Sequence, residues 1–148
     1  TDSINLQYLF RMTDDTGIFQ HSVFGIPDPS EGYTTDDNAR ALILAIMLQE
    51  RYHEQRYEKM AAHYLSFLLY AEKGRWFRNF MDYSRTFTEK RGSEDCFGRC
   101  LLALGFVKHP KGVTAWDYKG LGLNGLIDSD AAGPLGVMGI GSAGIRIN

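Results

Sequence analysis

The densest potential chemistry in this chain lies in ten residues, Glu31-Gly32-Tyr33-Thr34-Thr35-Asp36-Asp37-Asn38-Ala39-Arg40. Three carboxylates, an amide and a guanidinium stand where a loop gives way to the apolar run Ala41–Leu48. A helix start is rigid, and its free amides favour anions, so the position suits a fixed polar site. A second cluster, Ser93-Glu94-Asp95-Cys96-Phe97-Gly98-Arg99, opens another apolar run at Cys100–Leu104. Two carboxyl groups facing one cavity can act as general acid and base when environment keeps one protonated. In glycoside hydrolysis their separation also sets the outcome, at roughly 5 Å for retention and roughly 6.5–9.5 Å for inversion. Asp14, Asp15, Glu31, Asp36, Asp37, Glu94 and Asp95 are the candidates.

The plain alternative treats the same residues as caps and ion pairs. Asp36 stands four before Arg40 and Asp37 three before it, while Asp95 stands four before Arg99. Each pair can share a helix face. One carboxylate per cluster would then orient an arginine, leaving the other free for a ligand. His21, beside Gln20, is either a site residue or a local hydrogen-bonding group; His53, His63 and His109 read as structural. No cofactor or metal is expected, because the carboxylates lack calcium-loop spacing and no histidine keeps metal-ligand company. The only cysteines, Cys96 and Cys100, share a helix face and read as core residues.

Helices must position these groups. Ile4, Tyr8 and Met12, with Leu9 beside them, predict a short helix that Asp14–Gly17 breaks. Pro27-Asp28-Pro29-Ser30-Glu31-Gly32 is a loop signature. Thr34 as N-cap places Asp37 at the third helical position, an acidic capping box. From 39 to 48 the helix is apolar almost all round, which predicts burial on more than one side. A second helix, from about Gln55 to Lys73, carries a one-sided stripe of Tyr57, Met60, Ala61, Tyr64, Leu65, Leu68 and Leu69. The short gap between the two predicts an antiparallel hairpin, with Gly74 as C-cap of the second helix. Trp76, Phe77, Phe80, Met81 and Tyr83, set among arginines, predict a short strand pair or a structured aromatic loop. Ser93 caps the third long helix, inside which Gly98 predicts a close backbone approach.

Composition narrows the classes. The 148 residues suit one domain, with 44% apolar and 23% charged residues in the ordinary globular range. A net charge of -2 offers no general attraction to nucleic acid or anionic lipid. No apolar run approaches the roughly 20 residues of a membrane span. Nothing resembles a signal peptide, so a cytoplasmic location is expected, although the start at Thr1 suggests missing upstream sequence. Nine of the sixteen glycines fall in 112–148, where neither a phosphate loop nor a dinucleotide fingerprint occurs. The expected organisation is a helical domain over 1–110 followed by a Gly-rich, irregular tail over 111–148.

The motifs Thr13-Asp14-Asp15-Thr16-Gly17-Ile18-Phe19-Gln20-His21, Pro-Asp-Pro-Ser-Glu-Gly-Tyr at 27–33, Asp36–Leu42 and Ser93–Arg99 resemble a bacterial family of six-hairpin glycosidase-like domains. Members are fused to, or described as, sugar transferases, and the resemblance covers residues 1–106. It implies an all-α fold of helical hairpins in the manner of an (α/α)6 toroid, with site residues at the starts of inner helices. A complete toroid needs about twelve helices and this chain offers three long ones, so the resemblance implies an incomplete fold. The function it implies is carbohydrate processing. Asp36 or Asp37 would act as general acid or base with Asp14, Asp15, Glu94 or Asp95, and Arg40 and Arg99 would orient carboxylates or hold hydroxyls. Asp14, His21, Glu31 and Asn38 would contact substrate, while Tyr33, Trp76 and Phe77 would stack on sugar faces. A noncatalytic carbohydrate-binding accessory domain and a self-associating structural fragment stand as alternatives, and activity of the isolated chain is left open. The expected partners are a carbohydrate and either a second copy or missing helices, with neither nucleic acid nor membrane.

Overall fold

The computed structural model describes residues 5–108, together with 139–140 and 145–146. A short helix α1 (Gln7–Arg11) leads to an antiparallel ribbon of β1 (Ser22–Val23) and β2 (Ile26–Pro27). A single 3-10 turn at Pro29–Glu31 precedes β3 (Tyr33–Thr34), which runs straight into α2 (Thr35–Tyr52). Then come α3 (Gln55–Ala71), the ribbon of β4 (Glu72–Lys73) and β5 (Trp76–Phe77), β6 (Phe80–Met81) and α4 (Glu94–Lys108). A last pair, β7 (Gly139–Ile140) and β8 (Ile145–Arg146), lies in the Gly-rich segment, the rest of which falls outside the described residues.

α2 and α4 begin where their sequence caps predict, while α3 starts after Glu54 without a side-chain cap. Thr34 Oγ1 accepts from the Asp37 amide at 3.1 Å, and Ser93 Oγ accepts from the Cys96 amide at 3.1 Å. α2 stops at His53, whose left-handed backbone (φ 54) returns its amide to the Gln49 carbonyl at 2.8 Å. With so short a connection α3 packs back on α2, while α4 packs on another side of α2. Their shared core holds Leu42 and Ile46 from α2, Tyr64, Leu65 and Leu68 from α3, and Cys100 and Leu104 from α4. Burial of such side chains, at roughly 1.5–3 kcal/mol each, is the main stabilising contribution.

The expectation of an all-α toroid of hairpins is overturned. The described fold is mixed, because small antiparallel sheets join the helices. β3 pairs with β6, with Tyr33 opposite Met81 and Thr34 opposite Phe80. This pairing fixes the start of α2 against the aromatic segment. The Thr35 amide donates to the Asn79 carbonyl at 2.9 Å, and the Asp36 amide to Asn79 Oδ1 at 3.0 Å. A second small core of Met12, Phe19, Tyr33, Phe67 and Met81 sits beside it. Two-residue strands are too short to leave a period-2 pattern, and β3 and β6 meet across more than forty residues. Buried backbone groups in these connections still need partners, and the ribbons supply them.

Three finer expectations also change. α3 ends at Ala71, so Gly74 (φ 60) makes the turn between β4 and β5 instead of capping the helix. Gly98 meets no close neighbour. α2 is not covered all round, since Leu44 is 37% and Met47 53% exposed.

Candidate functional site

The loop after α1 carries the first acidic pair and is tightly specified. Asp14 Oδ1 accepts from the amides of Thr16 (2.8 Å) and Gly17 (3.0 Å), closing an Asx turn. Its other oxygen accepts from the Tyr33 hydroxyl at 2.5 Å. Asn38, fully buried on the first turns of α2, holds the loop from below. Its Oδ1 accepts from the Ile18 amide at 3.0 Å, while its Nδ2 donates to the Thr34 carbonyl at 2.8 Å. Gly17 lies so close to Asn38 that a Cβ there would approach Oδ1 to 2.2 Å.

Asp15 points outward, where Arg85 pairs with it at 3.1 Å. Arg85 comes from the turn after β6, and its backbone is left-handed at φ 66. Asp82 organises that turn by accepting from Ser84 Oγ (2.6 Å) and the Thr86 amide (3.0 Å). These bonds hold its carboxyl below the usual carboxylate range. Loop and turn together enclose a cavity of about 530 Å³ lined by Asp14, Asp15, Tyr33, Tyr83, Ser84 and Arg85. Tyr33 stacks on Phe19 at 4.9 Å, and the half-exposed Tyr83 ring lies 6.5 Å from Tyr33. A second cavity, of about 220 Å³, is lined by Asp15 and Arg85 again, with Thr16, Ser66, Phe67 and Tyr70 among its other walls.

The α2 cluster divides differently. Asp36, 22% exposed at its side chain, is held by Arg99 at 2.6 Å and Arg40 at 3.4 Å. Arg99 therefore leaves its expected partner Asp95 and crosses to α2, so the second cluster gives the first a cation. Glu94 and Asp95 are exposed on the first turn of α4. Asp37 lines a separate groove of about 300 Å³ with Arg40, Gln20, Tyr8 and Leu44 at its walls. Asp37 and the Asp14–Asp15 pair thus face different cavities.

Other sequence candidates take structural roles. Trp76 donates to the Gly92 carbonyl at 2.8 Å, stacks on Phe97 at 3.9 Å and carries Arg91 over its ring at 3.8 Å, so its faces are occupied. Phe77 is buried in the main core. His21 and Glu31 are exposed, and their backbone carbonyls accept from the Asp28 amide and Gln20 Nε2. Tyr83, Ser84 and Arg85 are functional candidates that sequence reasoning left unassigned. The signal was the arginine-and-aromatic run from 75 to 85, expected as a short strand pair or structured aromatic loop in which only Trp76 and Phe77 were assigned to a ligand. Among the described residues no group of three or more His, Cys, Asp or Glu is arranged to hold a metal ion.

Two buried tyrosines make a pH prediction. Burial pushes the Tyr64 hydroxyl, which pairs with Thr13 Oγ1 at 2.7 Å, up to about 12. Burial, then the adjacent Asp14, also raises Tyr33 above the ordinary tyrosine range. Burial raises the Cys100 thiol as well. The unfolded chain loses these protons first, so the stability they contribute is complete at neutral pH. It begins to fall above about pH 8.5, where a free thiol ionises, and falls faster above about pH 10, where a free tyrosine does. An alkaline titration should show the last tyrosinate absorbance rising together with loss of helical circular dichroism. Full tyrosine ionisation near pH 10 with helices intact would contradict this.

A scan of family models finds no match to this chain, and a search of curated proteins finds none either.

Proposed function

We propose that this chain binds carbohydrate in the cavity bounded by Asp14, Asp15, Tyr33, Tyr83, Ser84 and Arg85. The observation that carries the reading is the mixture in that wall. Carboxylates accept from sugar hydroxyls, a guanidinium donates to them, and a partly exposed tyrosine ring offers a face for an apolar sugar surface. Asp14 already accepts three hydrogen bonds, so Asp15 is the carboxylate open to a ligand. The motif resemblance to glycosidase-like domains points to the same ligand class.

A binding role is favoured over hydrolysis by the disposition of the carboxylates. Asp36 is engaged by two arginines, and Asp37 lines a different groove from Asp14 and Asp15. A general acid and its partner have to address one glycosidic bond. The test is a glycan array followed by calorimetry on the hits. Asp15→Asn and Arg85→Ala should each weaken binding by about tenfold or more, a loss of about 1.4 kcal/mol. Both should leave the fold intact, since an exposed ion pair contributes only about 0–1 kcal/mol. Asp37→Asn should leave affinity unchanged. Loss of binding in Asp37→Asn alone would move the site to the other groove, and an array without hits would reject the reading.

A further inference from the structure

Resting on that carbohydrate reading, we infer that the ligand is an extended glycan of at least two sugar units, seated in both cavities across the Asp15–Arg85 pair. The two cavities share these residues as a common wall. Each side also has its own aromatic surface. Tyr83, 57% exposed, serves the larger cavity, whereas Tyr33, expected to stack on a sugar, is buried against Phe19. Tyr70, 58% exposed, serves the smaller one, where Phe87 lies 5.6 Å from its ring and 5.9 Å from the buried Phe67.

At about 220 Å³ the second cavity falls below the usual range for an independent ligand site, which starts at roughly 300 Å³. It makes sense as a continuation of the first. The ion pair they share is a suitable junction. Both side chains are more than half exposed, so their contact contributes little and can be exchanged for sugar hydroxyls. The guanidinium then donates, and the carboxylate accepts, at the junction between two sugar units. The left-handed backbone at Arg85 (φ 66) is a conformation non-glycine residues seldom adopt, and it is held there by the Asp82 turn. Conformations of this kind concentrate at ligand clamps.

The experiment is calorimetric titration of the folded chain with gluco-, manno- and galacto-oligosaccharide ladders of one to four units. Within the series that binds, affinity should rise about tenfold or more from one unit to two or three. Tyr70→Ala should remove that rise while leaving the single-unit affinity unchanged. Ser66→Trp, which fills the second cavity from the exposed face of α3, should do the same and keeps the test independent of one variant's folding. Equal affinity for all lengths, or a Tyr70→Ala loss that is the same for every length, would overturn the extended site alone. Absence of binding in every ladder would overturn the carbohydrate reading and the extension with it.

Discussion

Gly32→Ala should destabilise the chain by about 2–4 kcal/mol, seen as a lowered urea midpoint with an unchanged slope. Gly32 has φ 65 and ψ -140, a region that side chains rarely enter. A Cβ there would lie 2.1 Å from the Met81 carbonyl oxygen, which is backbone and cannot swing aside. The residue also sits at a crossing of the chain. Its amide donates to the Pro29 carbonyl at 3.0 Å, and its carbonyl accepts from the Gln20 amide at 2.9 Å. Relieving the clash means separating β3 from β6, which would shift Tyr33 away from Asp14. Affinity at the proposed glycan site should therefore fall together with stability. A loss below about 1 kcal/mol would mean that the 29–33 backbone relaxes, and the close approach to Met81 would then not be essential.

Asn38→Ala should cost a similar amount, about 2–4 kcal/mol, through a different mechanism. The side chain is fully buried and satisfies one donor and one acceptor from separate segments. Alanine removes both bonds, leaves the Ile18 amide unpaired and opens a gap beneath Gly17. Loop 13–18 would lose its attachment to α2, so the positions of Asp14 and Asp15 should loosen before the helices melt. Hydrogen exchange should report this as faster exchange of the Ile18 amide than of α2 amides. Asn38→Asp, which keeps the acceptor for Ile18 but sets a buried carboxylate against the Thr34 carbonyl, should not recover the stability lost in alanine. Equal exchange rates in the wild-type chain and Asn38→Ala would rule out the attachment.

These two positions show what a single sequence conceals. Asn38 read as a polar group available to substrate because it follows two aspartates on a helix start. It is instead the peg that fixes the loop. Gly32 read as one member of a turn-forming run, while the reason for glycine is a backbone oxygen nearly fifty residues away. Arg99 read as the partner of Asp95 from helical spacing, yet it pairs with Asp36 because α4 packs beside α2 and brings it there. Trp76 and Phe77 read as sugar platforms from the family resemblance and their aromatic type. Their exposure depends on packing, and packing covers the one with Phe97 and Arg91 and buries the other.

By itself the sequence determined what is local. The caps at Thr34 and Ser93, the three long helices, the α2–α3 hairpin and the apolar rows of Leu42–Ile46 and Tyr57–Leu68 all follow from interactions within a few residues. Backbone capping and helical periodicity act over one or two turns, so residue types suffice to reveal them. Only the tertiary structure decided the mixed fold and the place of the candidate site. β3 finds β6, and Asp15 finds Arg85, across long stretches of chain. Which strand edges and side chains meet is set by how the helices pack, and periodicity carries no record of that. The α2 cluster that dominates the sequence is in good part structural, while the candidate cavity gathers around the quieter Asp14–Asp15 loop and the 82–86 turn.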